Sequence, residues 1–209
     1  MTRTFKQEFV AVMMVLVATS SLSGQDKRET VLEAAARGAT GRIRTAPSGA
    51  APSLASVLSE TELVVRGLVG KGRSYISDDG LDVYTDYDIA NPVILYEQRM
   101  HEATVPGAPR HVVVTQLGGS VALNGTAFTQ TEDGLAPLRE GSEGLFLLNN
   151  VNGKYHIAKT FFGAFVIKNG VVAPLTRVES FVNEYHGLSA DDFTRVVITG
   201  LAQSKKAGR

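Results

Sequence analysis

Asn-Gly occurs three times between strand-like segments, at residues 124–125, 152–153 and 169–170, and Asp79-Gly80 adds a fourth dipeptide of the same kind. Both dipeptides tolerate the positive φ angles of a two-residue hairpin turn, so each predicts two antiparallel strands meeting at that point. Four hairpins call for about eight strands: 62–77, 81–96, 110–117, 119–123, 126–131, 144–150, 154–161 and 163–176, the last broken by its own turn. Strands do not alternate with helical stretches, which argues against a parallel sheet. The chain is therefore expected to be mainly β, an antiparallel barrel or sandwich.

Helical signals stand only at the two ends of this run. Residues 30–37 suit a helix of two turns. Ser53 to Glu60 predicts a short helix capped by Ser53, with Leu54, Val57 and Leu58 on one face. After the strands, Ser189 and Asp192 have the spacing of a capping box. Phe193, Val196, Val197 and Leu201 follow as an apolar stripe of a helix over 189–203, and residues 204–209 form a basic tail. Between these parts, residues 25–52 read as a flexible segment, with Gly38 to Pro52 a linker rich in small residues. The rest, 53–203, is expected to be one domain.

The first 24 residues have the order of an export signal. Arg3 and Lys6 are followed by the apolar run Val10 to Ala18 and then by small and polar residues up to Gly24. Nine apolar residues are too few for a membrane span, which needs roughly 20, and no later stretch reaches that length either. Cleavage is expected after Ser23 or Gly24, leaving a periplasmic or extracellular chain. Of 21 basic and 21 acidic residues, 19 and 20 then remain, a balance that points to neither nucleic acid nor anionic lipid as a partner. The chain has no cysteine. That excludes a lipid-modified cysteine anchor, thiol catalysis and thiolate metal ligands, and burial must stabilise the fold without disulfides.

Residues 77–88, Ser-Asp-Asp-Gly-Leu-Asp-Val-Tyr-Thr-Asp-Tyr-Asp, carry five of those acids in twelve positions. With Asp79-Gly80 as the turn, opposed residues sum to 159. Arg73 then faces Asp86, Lys71 faces Asp88, Tyr75 faces Tyr84 and Ser77 faces Asp82, all on one side of the ribbon. Ile76 with Val83, Ser74 with Thr85 and Gly72 with Tyr87 fall on the other. A calcium ion needs six to eight oxygens at about 2.3–2.6 Å, whereas Asp82 and Asp88 lie roughly 20 Å apart along an extended strand at about 3.3 Å per residue. The stretch reads as a charged hairpin. No metal and no cofactor are expected.

Other motifs are weaker. His101, His111, His156 and His186 lack ligand spacing. Gly141-Ser142-Glu143-Gly144 resembles a nucleophile elbow but precedes a strand instead of joining a strand to a helix, so no catalytic residue is assigned. Gly70-Lys71-Gly72-Arg73 lacks the ending of a phosphate loop, and Gly72 opposite Tyr87 suggests room for the ring or a bulge. Asn124-Gly125-Thr126 matches a glycosylation acceptor, which the turn accounts for by itself. Phe161, Phe162 and Phe165 cluster around Gly163. They read as core at a strand junction, or else as an apolar surface for a ligand or partner.

Several segments in order carry a resemblance: Glu62-Leu-Val-Val-Arg-Gly-Leu-Val69, Tyr84-Thr-Asp-Tyr87, Gln116-Leu-Gly-Gly119, Pro137 through Leu148, and Gly163-Ala-Phe-Val-Ile167. Over about residues 54–176 they resemble a group of uncharacterised exported bacterial β-rich proteins. Their outline is similar to the OB-like barrel of the netrin and tissue-inhibitor-of-metalloproteinase modules. The resemblance implies an OB-like barrel as the first choice of fold. Those modules lean on disulfides, which this chain lacks, so their inhibitory activity does not carry over. The expected function is a non-enzymatic exported β-domain that binds a protein partner or a small ligand. The alternative is a secreted hydrolase, which requires two of His101, His111, His156 and the acids to meet in one pocket within hydrogen-bond reach.

Overall fold

A computed structural model describes residues 28–44, 52–98, 111–160, 162–176 and 181–207. The export-signal pattern of residues 1–24 and His101 lie outside these. The elements are α1 (Val31–Ala36), β1 (Gly41–Arg44), α2 (Leu54–Glu60), β2 (Leu63–Ile76), β3 (Val83–Glu97), β4 (Val112–Leu117), β5 (Gly119–Leu123), β6 (Thr126–Glu132), β7 (Glu143–Val151), β8 (Lys154–Ile157), β9 (Ala164–Lys168) and β10 (Val171–Pro174). A 3-10 turn (Phe181–Tyr185) and α3 (Ala190–Ala207) complete the chain. The protein is mainly β, with two sheets and a helix at each end of the strand run.

All three Asn-Gly dipeptides make two-residue hairpins. Asn124, Asn152 and Asn169 have φ of 49°, 53° and 53°, each followed by a positive-φ glycine, and the flanking pairs are Leu123–Thr126, Val151–Lys154 and Lys168–Val171. The β2–β3 hairpin keeps the predicted register from Gly72–Tyr87 to Ile76–Val83. Its turn is wider, because Ser77 and Asp82 close the loop through a backbone bond of 2.8 Å. Lys71 is a correction. The register slips between Val69 and Gly72, so Lys71 does not stand opposite Asp88. Gly72 explains the slip: a Cβ there would lie 2.7 Å from Tyr87 Cε1, so the aromatic ring fills the space that a side chain would need.

Strands β2, β3, β4, β8 and β7 pair in that order, and β7 pairs back onto β2, closing a ring. Within the ring only β4–β8 is parallel. Each of its strands sends alternate residues to one buried cluster, including Val65, Ile89, Val114, Phe146 and Ile157, which is therefore the interior. On the opposite face, Val64, Leu145 and Leu147 join a second cluster under α2 and α3. Phe165 and Phe193 meet there at 4.4 Å between ring centroids, and Gly200 lets the helices approach, since a Cβ would reach Leu58 Cδ1 at 2.5 Å. Burying each such aromatic side chain stabilises the fold by about 1.5–3 kcal/mol. Ser189 caps α3 by accepting from Asp192 N at 3.0 Å, as its spacing predicts. The helix runs on to Ala207, through the first part of the expected basic tail.

Two expectations change. Within the stretch read as linker, residues 41–44 form β1, which pairs in parallel with β6 in the second sheet, order β1-β6-β5. Thr30 caps α1 through a capping box with Glu33, and Val31 and Ala34 are buried with Val83 and Phe128. The second concerns the phenylalanines, of which the core reading stands and the alternative, a surface for a ligand or partner, falls. Phe162 and Phe165 are buried in the cluster beneath α3 and offer no exposed face to a partner; Phe161 lies outside the described residues. Among the described residues no helix is long and apolar enough to cross a membrane.

Candidate functional site

The ring's register lines up one row of side chains on its outer face. Arg73 stands opposite Asp86, Asp86 opposite Thr115, Thr115 beside His156, and His156 opposite Asn149. Five strands thus contribute one polar residue each, because residues in register on one face share a direction. Part of this row lines a cleft of about 350 Å³, formed by Tyr84, Thr115, Asn149, His156 and the apolar Leu117, Val151 and Ile157. Glu60 from the end of α2 and Lys159 and Thr160 after β8 form its rim. Lys159 and Glu60 are an ion pair. Lys159 and Thr160 have φ of 50° and 62°, a left-handed conformation that costs a non-glycine residue on the order of 1–3 kcal/mol and tends to sit at functional sites.

The bonding along the row is uneven. Thr115, only 2% exposed, donates to Asp86 Oδ1 at 2.7 Å. Lys154 Nζ stands 3.9 Å from the other oxygen of Asp86, donates to the Tyr75 hydroxyl at 3.0 Å and lies 4.1 Å from the centre of that ring. The bond to Tyr75 raises the Lys154 pKa above its ordinary value. Arg73 is opposite Asp86 as predicted, but Thr115 and Lys154 engage the carboxylate. Beyond Thr115 the bonding stops. Asn149 Oδ1 is buried without a hydrogen-bond partner, and such an orphan acceptor costs about 1–3 kcal/mol. Among the described residues neither ring nitrogen of His156 has a hydrogen bond. The imidazole packs edge-to-face on Tyr84, 5.5 Å between ring centres. Burial pushes its pKa below the usual value, outweighing the pull of Asp86, so the ring is neutral at neutral pH.

Three other acids of the 77–88 stretch, Asp79, Asp82 and Asp88, have separate partners. Asp79 accepts from Ser77 Oγ at 2.5 Å and from Leu81 N at 3.0 Å, which hold its carboxyl below the ordinary range. Asp82 takes Gln130 at 3.2 Å and Arg42 at 3.5 Å. Asp88 meets His111 at 2.7 Å on open surface, 62% and 73% exposed. Among the described residues no three histidines or acids gather as a metal site would require.

The hydrolase requirement is not met in the cleft. His111–Asp88 is within hydrogen-bond reach but lies on open surface, away from the cleft. His156 is in the cleft, yet the Thr115 hydroxyl points its proton at Asp86 and not at the imidazole. A hydroxyl–histidine–acid relay needs histidine between the other two; here the hydroxyl stands between. Ser142 belongs to a turn before β7, donating to Arg139 O at 2.6 Å, as a loop reading predicts.

Asn149 was missed by motif reading because it belongs to no motif, but a signal was present. Taking Asn152-Gly153 as a two-residue turn makes opposed residues sum to 305, which sets Asn149 against His156. Gly144 to Leu148 is then a strand segment buried on both faces that turns polar at Asn149. No protein-family model, no curated protein and no solved structure was found to match the chain.

Proposed function

We propose that this chain is an exported, non-enzymatic β-domain whose outer-face cleft binds a small ligand in the cell envelope or outside the cell. Export rests on the charge, apolar run and small residues of positions 1–24. An OB-like barrel is the finer reading of the fold. The ring order β2-β3-β4-β8-β7, with its single parallel pair, supports it, since a partly open five-stranded Greek-key barrel of this kind carries ligands on its strand face.

One observation carries the ligand reading: Asn149 Oδ1 is buried without a hydrogen-bond partner in a residue that lines the cleft, directly across from His156. Native proteins pair buried polar groups almost everywhere, so an exception in a concave site marks a place where something else supplies the partner. A thermal-shift screen of small neutral polar compounds tests it, run on the purified protein and on Asn149→Leu in parallel. Compounds that raise the melting temperature of the first and not the second are expected. A screen in which no compound depends on Asn149 would overturn the reading. Mass spectrometry of envelope and culture fractions tests export: a mature chain starting at Gly24 or Gln25 is incompatible with cytosolic retention, and an intact Met1 chain confined to the cytosol would overturn it.

A further inference from the structure

We infer that the cleft takes a neutral ligand bearing a secondary amide beside a small apolar group, the acetamido group being its simplest form. This rests on the ligand-site reading above and narrows it. Asn149 and His156 are directly paired across β7 and β8, so their side chains leave the same face with Cβ atoms about 4.5–5.5 Å apart. Asn149 brings an acceptor oxygen without a partner; the soft terminal torsion of the amide lets it turn toward the cleft. A neutral imidazole carries one N–H donor and one bare nitrogen. Together they present an acceptor and a donor side by side. A secondary amide presents the complement, an N–H and a C=O held by one planar bond.

Charge and apolar lining decide between amides and other neutral or ionic groups. The charges around the cleft are paired with each other, Glu60 with Lys159 and Asp86 with Lys154, so an ionic ligand finds no uncompensated partner. Leu117, Val151 and Ile157 share the lining with the polar residues. They offer a methyl group a place to be buried, which a bare polyol would leave unused.

Saturation-transfer NMR on the purified protein tests this with N-acetylglucosamine and N-acetylalanine methylamide, and with glucose as the same sugar ring lacking the amide. Transfer to the acetyl methyl of both amides is expected, and none to glucose. Asn149→Leu should weaken amide binding at least about tenfold, the loss of one hydrogen bond to a buried group. His156→Phe, which keeps the aromatic contact with Tyr84, should do the same, and melting curves check that each variant is folded. Equal transfer to glucose, or amide binding untouched by both substitutions, would overturn the inference. Failure of both amides alongside Asn149-dependent compounds in the thermal-shift screen would remove the amide class and keep the cleft as a ligand site. Failure of both would remove the two readings together.

Discussion

Two buried polar centres of this protein are built alike and finished differently. Gln130, 1% exposed on β6, has its oxygen bonded by Arg42 Nε at 2.9 Å, Arg42 Nη2 at 2.8 Å and Val83 N at 3.2 Å, and its nitrogen donates to Asp82 at 3.2 Å. It ties β1, β6 and the end of the β2–β3 hairpin into one junction. Asn149 on β7 is the other amide, and its oxygen has no bond at all. The contrast separates scaffold from site. A saturated amide fixes the chain; an unsaturated one, lining a cleft beside an unbonded imidazole, leaves capacity for a ligand.

The comparison can be broken by mutation. Gln130→Leu should cost about 2–4 kcal/mol, because it strands Val83 N and removes a partner from both Arg42 and Asp82; a shift in urea midpoint at constant slope measures it. If this variant is as stable as the native chain, the junction is not structural. Thr115→Val, nearly isosteric, should cost about 1–2 kcal/mol by removing the donor to Asp86. It sharpens the boundary between the bonded and unbonded halves of the row.

A pH series probes the unbonded half. The folded His156 pKa lies below its unfolded value of about 6.5, so the unfolded state takes up the proton first. Stability from this group is complete above about pH 6.5 and is lost as pH falls from there through the lower folded pKa. Comparing unfolding between pH 7.5 and 5.5 with His156→Phe isolates it, since the variant should lack that part of the decline. The smallest effect belongs to Arg73→Glu. With Asp86 held by Thr115 and Lys154, the reversal should change stability by no more than about 0.5 kcal/mol.

Much of this fold was legible because it is written locally. An Asn-Gly turn fixes two strands and their register within a dozen residues, and all three behaved so; the sum of 159 held from Gly72 to Val83. Lys71 failed because a bulge depends on where the Tyr87 ring goes, which no pattern of charges reveals. β1 failed for a different reason: Gly41 to Arg44 pair with β6 almost ninety residues away, and a four-residue strand among glycines and threonines resembles a linker until its partner is in place. The cleft was least legible. Asp86, Thr115, His156 and Asn149 come from four strands, and only ring closure puts them in one row. Phe162 and Phe165 left two readings open, since aromatic clustering marks cores and contact surfaces alike, and packing beneath α3 decides for the core.

The most direct test of the contrast is the urea midpoint of Asn149→Leu, measured beside the native protein. Removing an orphan oxygen from a buried position at nearly constant volume should leave stability unchanged or raise it by about 1 kcal/mol. A fall comparable to that of Gln130→Leu would show that Asn149 is bonded and structural, and would contradict the assignment of the cleft as a site.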